Sequence, residues 1–281
     1  MNKAPNARQL IMGLLLAEQP LAQQARWLSS RQVVLACRLF GISEHSARVA
    51  LARLSAAGLV ASAGRGTYRL GEAALALAGD VASWRGAESR LRAWSGHWIL
   101  VCCGMLGRTD RPALARRQRA LAMLGFRELE KDIYCRPDNL LGGVAAVRSG
   151  LQILGLEPQA LVLLASELED SCDQSAQHLW DGEALNLGYQ QQHQRLAQWL
   201  ALVDALSPED AARESWLLGS QAIRQIVFDP LLPAPLVDIA ARHRFIDMAK
   251  TFDRAGYAIW QRLFQSHFGS PGDENDECNP H

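Results

Sequence analysis

Between Gly41 and Leu70 the chain reads GISEHSARVALARLSAAGLVASAGRGTYRL, and no other stretch restricts the possible folds as much. Gly41 supplies a turn, Ser43 is suited to accept the first hydrogen bond of a helix, and Glu44 sits at that helix's positive end. At about 100° per residue, Ala47, Ala50, Leu51, Leu54 and Gly58 share one side of the helix. His45, Arg48, Val49 and Ala52 occupy the other, with Ser46 and Arg53 on its flanks. A helix divided in this way docks by its small apolar side and turns a slim, hydrogen-bonding side outward, as reading a major groove requires. Arg48 has the reach for a bidentate contact to a guanine edge, His45 and Ser46 stand near the N-terminus where a base or phosphate is met, and Arg53 suits the backbone. The competing reading is a solvated amphipathic helix whose polar groups face water.

The flanking residues favour the first reading. Residues 8–18 predict one helix, closed by Pro20. Ser30 predicts the cap of a second, over roughly 31–39, with Val33, Val34, Cys37 and Phe40 inward. Behind the third helix, LVAS (59–62) and TYRL (67–70) predict short strands around the glycine-rich turn AGRG. Helix, helix, turn, helix and hairpin is the order of a winged helix-turn-helix domain. Gly64 and Gly66 allow the hairpin tip close approach to a phosphate backbone. Arg65, Thr67 and Arg69 therefore join Ser43, His45, Ser46, Arg48, Val49, Ala52 and Arg53 as DNA-binding candidates; the alternative is a plain hairpin tip bearing one arginine.

Charge is distributed to match. The 281 residues carry 29 Lys and Arg against 29 Asp and Glu. Residues 1–71, however, hold nine basic side chains and only two acids, Glu18 and Glu44, so a surplus of seven positive charges is balanced by the remainder. Such asymmetry points to a polyanionic partner for the basic end. No apolar run reaches the roughly 18 residues of a membrane span, no signal peptide is recognisable, and the six cysteines form no CxxC pair. A reducing cytoplasm and no metal site are expected.

The pattern changes after residue 71. Residues 72–95 predict a connecting helix. HWILVCCGML (97–106) predicts a buried strand, Pro112 starts a basic amphipathic helix running to Gly125, and FRELEKDIYCRP (126–137) predicts a strand or hairpin. A helix in LLGGVAAVRSGLQIL and a further apolar run, ALVLLASEL, complete a small α+β sandwich. From about 173 the signals are helical, broken by the three prolines of DPLLPAP (229–235), and the acidic last residues are expected to be disordered.

Three segments, in this order, resemble the PaaX family of bacterial transcriptional repressors: GISEHSARVALARLSAAGLV with GRGTYRL behind it, RRQRALAMLGFRELEKDIYCRP, and AIRQIVFDPLLPAPLV. The resemblance spans most of residues 8–265. It implies an α+β, mostly helical chain: an N-terminal winged helix-turn-helix, a ferredoxin-like middle domain similar to a small CRISPR-associated nuclease fold, and a helical C-terminal domain. The expected boundaries are 1–80 for the DNA-binding domain, 81–95 for the connecting helix, 96–172 for the middle domain, 173–268 for the effector and dimerisation domain, and 269–281 for the tail. The resemblance further implies a homodimer on double-stranded operator DNA, repressing a catabolic operon and released by an acyl-CoA effector, phenylacetyl-CoA or a related aromatic acyl-CoA. No cofactor is expected. The hairpin carries fewer arginines than the family's wing, and AARHRF stands where the family has a tryptophan–glycine pair.

Arg224 and Asp229 flank the DPLLP break. They either border a ligand pocket, with Arg224 meeting a CoA phosphate and Trp180, Trp216 and Trp260 stacking on an acyl or adenine group, or they form a salt bridge that holds the turn while the tryptophans fill cores. Two further functions compete with the repressor. A nucleic-acid-processing enzyme on the middle domain is disfavoured, because the strand WILVCCGMLGRTD reaches its first carboxylate only at Asp110. Cys102 and Cys103 as nucleophiles with His97 as base, against plain core cysteines, make a weak catalytic set. A DNA-bound scaffold without a ligand is the other alternative.

Overall fold

The computed structural model describes residues 4–16, 27–64, 66–74 and 83–269. The described chain is α+β and mostly helical, with two antiparallel sheets. It divides into two compact units, one of Met1–Trp84, Arg195–Ile223 and Met248–His281, the other of Arg85–Gln194 and Arg224–Asp247.

In the first unit the order is α1 (Ala7–Leu16), β1 (Trp27–Ser29), α2 (Ser30–Leu39), α3 (Glu44–Ala56), β2 (Val60–Gly64) and β3 (Thr67–Leu70). Leu10, Ile11, Leu14 and Leu15 of α1 are buried, as are Val33, Ala36 and Cys37 of α2. The cap of α2 is Ser29 rather than the expected Ser30. Ser29 is extended at the end of β1, its Oγ accepts from the Gln32 N–H at 3.2 Å, and Gln32 Oε1 accepts from the Ser29 N–H at 2.8 Å. Strand β1 itself, three residues long with Trp27 exposed, was not expected; it pairs with β3, giving the order β1-β3-β2.

The same unit contains parts of three long helices, α7 (Gly182–Leu202), α8 (Pro208–Val227) and α9 (Ile239–Phe268). Trp199 packs on Phe252 with ring centres 4.9 Å apart and donates its indole N–H to Glu214 at 2.8 Å. Trp216 meets Phe40 edge-on at 5.5 Å, and its indole lies so close to α1 that a Cβ on Gly13 would sit 3.2 Å from Nε1.

The second unit holds β4 (Trp98–Cys102), α4 (Arg111–Met123), β5 (Arg127–Glu130), β6 (Ile133–Pro137), α5 (Gly143–Ile153) and β7 (Leu161–Ala165), with α6 (Asp170–Gln177) following. Its sheet has the order β5-β6-β4-β7, every pair antiparallel. Ile99 and Val101 of β4 meet Ala120, Leu121, Val147, Leu151 and Val162, so α4 and α5 cover one face of the sheet. At the other face Trp98 lies between Trp94 and Trp180. Of the helix expected over 72–95, residues 75–82 lie outside the described residues. Ser83–Arg90 form a 3₁₀ helix kinked at Gly86, and Leu91 bridges to Leu140. The burial of Trp84 and Ala87, three residues apart, suits the three-residue turn of that helix.

Candidate nucleic-acid interface

The geometry of α3 begins at its cap. Ser43 is extended, with φ −65° and ψ 153°, and its Oγ accepts from the Ser46 N–H at 3.2 Å while lying 2.9 Å from the Ser46 hydroxyl. Both serines are thereby engaged at the helix start but remain exposed. Ala47, Leu51 and Leu54 are buried against the neighbouring helices. His45, Arg48, Ala52 and Arg53 are exposed, and Val49 is half-buried. Gly58, expected on the inner side, lies beyond the helix end with φ +67° and is exposed; only its backbone freedom is used there.

Arg48 is not loose. Its guanidinium is paired with Glu44, one turn earlier. The i, i+4 spacing that allows this pair was present in the sequence, where Glu44 had been assigned only to the helix dipole.

The hairpin is anchored to α2. The carbonyl of Gly66 accepts from the Ser30 N–H at 2.8 Å and from the Ser30 hydroxyl at 2.9 Å. Gly64 and Gly66 both have positive φ, +144° and +73°, which no other residue type adopts readily. Thr67 is half-buried opposite Ser29, and Arg69 is exposed between Trp27 and Ala61. Arg65 lies outside the described residues. Ser30 is the residue that sequence reasoning misplaced: it secures the hairpin rather than capping the helix.

The proposed pocket residues separate. Asp229 is buried and accepts from the Leu231 N–H at 2.7 Å, while Arg224 is exposed over the Phe228 ring at 5.3 Å. The salt bridge considered between Arg224 and Asp229 is absent among the described residues. Burial holds the Asp229 carboxyl above its ordinary range, with Tyr189, the Leu231 amide and the Arg242 charge opposing. The buried Tyr189 hydroxyl makes no hydrogen bond of normal geometry. Trp180 is buried and donates to Gly125 O at 3.2 Å, and Trp260 is buried against Phe264. Trp216, half-buried, is engaged with Phe40.

Sequence reasoning missed what holds the DPLLP segment. Arg136 is fully buried, with hydrogen bonds to the carbonyls of Leu124 and Pro137, to Asn139 Oδ1 at 3.0 Å and to Pro230 O at 3.5 Å. Asn139 Nδ2 in turn donates to Leu231 O at 2.7 Å. From the other side Arg242 donates to Leu232 O at 2.6 Å. Burial lowers the Arg136 guanidinium to about 10.

Three solved chains are similar to this one. Among them, the uncharacterized protein Rv0674 from Mycobacterium tuberculosis aligns with a TM-score of 0.60 and 25% identity, over 90% of this chain and 98% of its own. No curated protein matches. The sequence profile of the PaaX-like protein C-terminal domain matches residues 180–262, which include the DPLLP segment and its contacts to Tyr189 and Arg242. That stretch, 83 of the 281 residues, is similar to the PaaX-like C-terminal domain. No helix among the described residues is long and apolar enough to cross a membrane.

The middle strands offer little to catalysis. His97 and Cys102 bound opposite ends of β4, about 16 Å apart at the usual strand rise. Burial pushes the Cys103 thiol up to about 11. Asp110 is spent on capping α4, where it accepts from the Ala113 N–H at 3.1 Å.

Proposed function

We propose that this PaaX-like chain is a homodimeric, cytoplasmic repressor of a catabolic operon, released from its DNA operator by an acyl-CoA such as phenylacetyl-CoA. The division of α3 carries the reading: an apolar side buried through Ala47, Leu51 and Leu54, and an exposed side with His45, Ser46, Arg48, Ala52 and Arg53. The order α1-β1-α2-α3-β2-β3, with the hairpin roped to α2 through Ser30, supports a winged helix-turn-helix in residues 1–80. In this reading α3 enters the major groove, Ser43 and Ser46 position its N-terminus, and Arg65, Thr67 and Arg69 follow the phosphates.

The strand order β5-β6-β4-β7 with α4 and α5 on one face supports a ferredoxin-like middle domain over 96–172. For the effector, Arg224 is exposed and suits a CoA phosphate. Asp229, Trp180, Trp216 and Trp260 support the surrounding structure in this reading. Mobility shifts with the DNA flanking the gene, with and without acyl-CoAs, test the function. A retarded band that phenylacetyl-CoA or a related thioester dissolves is expected; failure to retard any such fragment would sink the proposal.

A further inference from the structure

We propose that α4 is a second phosphate-binding face, one that takes the sugar–phosphate backbone of double-stranded DNA. It rests on the DNA-binding reading above but uses a different surface. Helix α4, RPALARRQRALAM, carries four arginines and no carboxylate. Its neighbour α5, GVAAVRSGLQI, adds Arg148 and again no carboxylate. The arginines divide sharply. Arg117 is buried and clamped to Glu157, with Nη2 to Oε1 at 2.6 Å and Nε to Oε2 at 3.1 Å. Arg111, Arg116 and Arg119 are exposed, and none forms a hydrogen bond or ion pair among the described residues.

The nearby acids are committed elsewhere. Glu157 is held ionised by Arg117, Asp110 caps the helix, and Asp132 is paired with Arg108. Three arginines thus stand on the outer side of a helix whose inner side, Ala120 and Leu121, is fixed in the core, and of these Arg116 feels the Glu157 charge without contacting it.

Their arrangement selects the ligand. From Arg111 to Arg119 the helix advances about 12 Å, and the three side chains fan over about 140°. Donors this far apart do not converge on one phosphate. They suit a row of phosphates along a backbone, with small, exposed Ala115 between Arg111 and Arg116 permitting close approach. Three guanidiniums of like charge on one helix repel one another, and a polyanion relieves that repulsion.

The test is the salt dependence of duplex binding by the full chain, read by fluorescence anisotropy with a mixed-sequence duplex. Each phosphate contact contributes about 0.9 to the slope of log affinity against log salt. The triple variant Arg111→Gln, Arg116→Gln, Arg119→Gln should therefore lower the slope by about 2.7, while Arg48→Ala lowers it by about 0.9. Glutamine keeps helix propensity and the positions are exposed, so the variant retains the wild-type circular dichroism melt. An unchanged slope in the triple variant, with wild type binding normally, overturns the α4 face and leaves the α3 reading intact. A variant that loses affinity for polyglutamate but not for duplex also overturns it, and assigns the face to an acidic protein. Absence of binding to any duplex by wild type overturns both readings.

Discussion

Glu44 holds Arg48 on the outer side of α3: Oε1 accepts from Nε at 2.9 Å and from Nη2 at 2.7 Å. The two side chains remain 65% and 55% exposed, so water screens the pair and it contributes about 0.3–0.5 kcal/mol. A pair that weak orients the guanidinium in the free protein and, in the proposed DNA complex, would yield to a guanine edge or a phosphate.

Two substitutions separate these roles. Arg48→Ala should lower specific DNA binding by about 1–3 kcal/mol. Glu44→Gln should raise DNA affinity, because it frees the guanidinium and removes a carboxylate from beside the phosphates, while the melting temperature falls slightly through loss of the favourable charge at the helix N-terminus. Anisotropy titrations and thermal melts on both variants provide the check; equal affinities for wild type and Arg48→Ala refute the assignment of Arg48.

The hairpin turn predicts a cost at Gly66. With φ at +73° and Ser30 Oγ 3.3 Å from where a Cβ would stand, Gly66→Ala should destabilise the protein by about 1–2 kcal/mol. The same carbonyl accepts both bonds from Ser30, so DNA affinity should weaken as well. Chemical denaturation measures the first effect, and a variant as stable as wild type contradicts the strain.

Asp229 predicts a pH dependence with a definite sign. Burial raises its folded-state carboxyl above the usual range, so the folded chain holds that proton more tightly than the unfolded one. The resulting stabilisation is complete below about 3.9, the unfolded value, and is lost as pH rises through the raised folded value. Asp229→Asn keeps an acceptor for the Leu231 N–H and cannot ionise. Its melting temperature relative to wild type should therefore climb between pH 4 and pH 7; a difference that stays flat across that range rules out the titration.

Asn139→Ala should cost about 1–3 kcal/mol, because it leaves the Leu231 carbonyl and one Arg136 N–H buried without partners. The measurement is the urea midpoint, and a shift within error of zero would show that the segment has another anchor.

What the sequence made legible was local. Ser43, Ala47, Leu51 and Leu54 lie within 12 residues, and a cap followed by a 3.6-residue period is enough to place them. The strand β4 and helices α4 and α5 were legible for the same reason. Strand β1 was not, because three residues carry no period and its partner β3 lies about 40 positions away. Arg136 and Asn139 were beyond reach for a stronger reason. A charged side chain two residues after Tyr134 reads as surface, and its burial depends on carbonyls at Pro230 and Leu231, more than 90 positions downstream. The Glu44–Arg48 pair was available in the spacing and needed only the helix to be believed.

The anchoring of residues 229–232 by Arg136, Asn139 and Arg242 also bears on inheritance. Arg136 and Asn139 belong to an earlier piece of their compact unit than the carbonyls they bind, and a stretch of the other unit separates the two pieces along the chain. A single genetic crossover between relatives, anywhere in that interval, would pair a guanidinium from one parent with carbonyls shaped by the other. Such a chimera strands a buried charge unless both parents place the segment identically. The DPLLP turn and the RPDN sequence at 136–139 are therefore expected to travel together through recombination, as one heritable module written in two places.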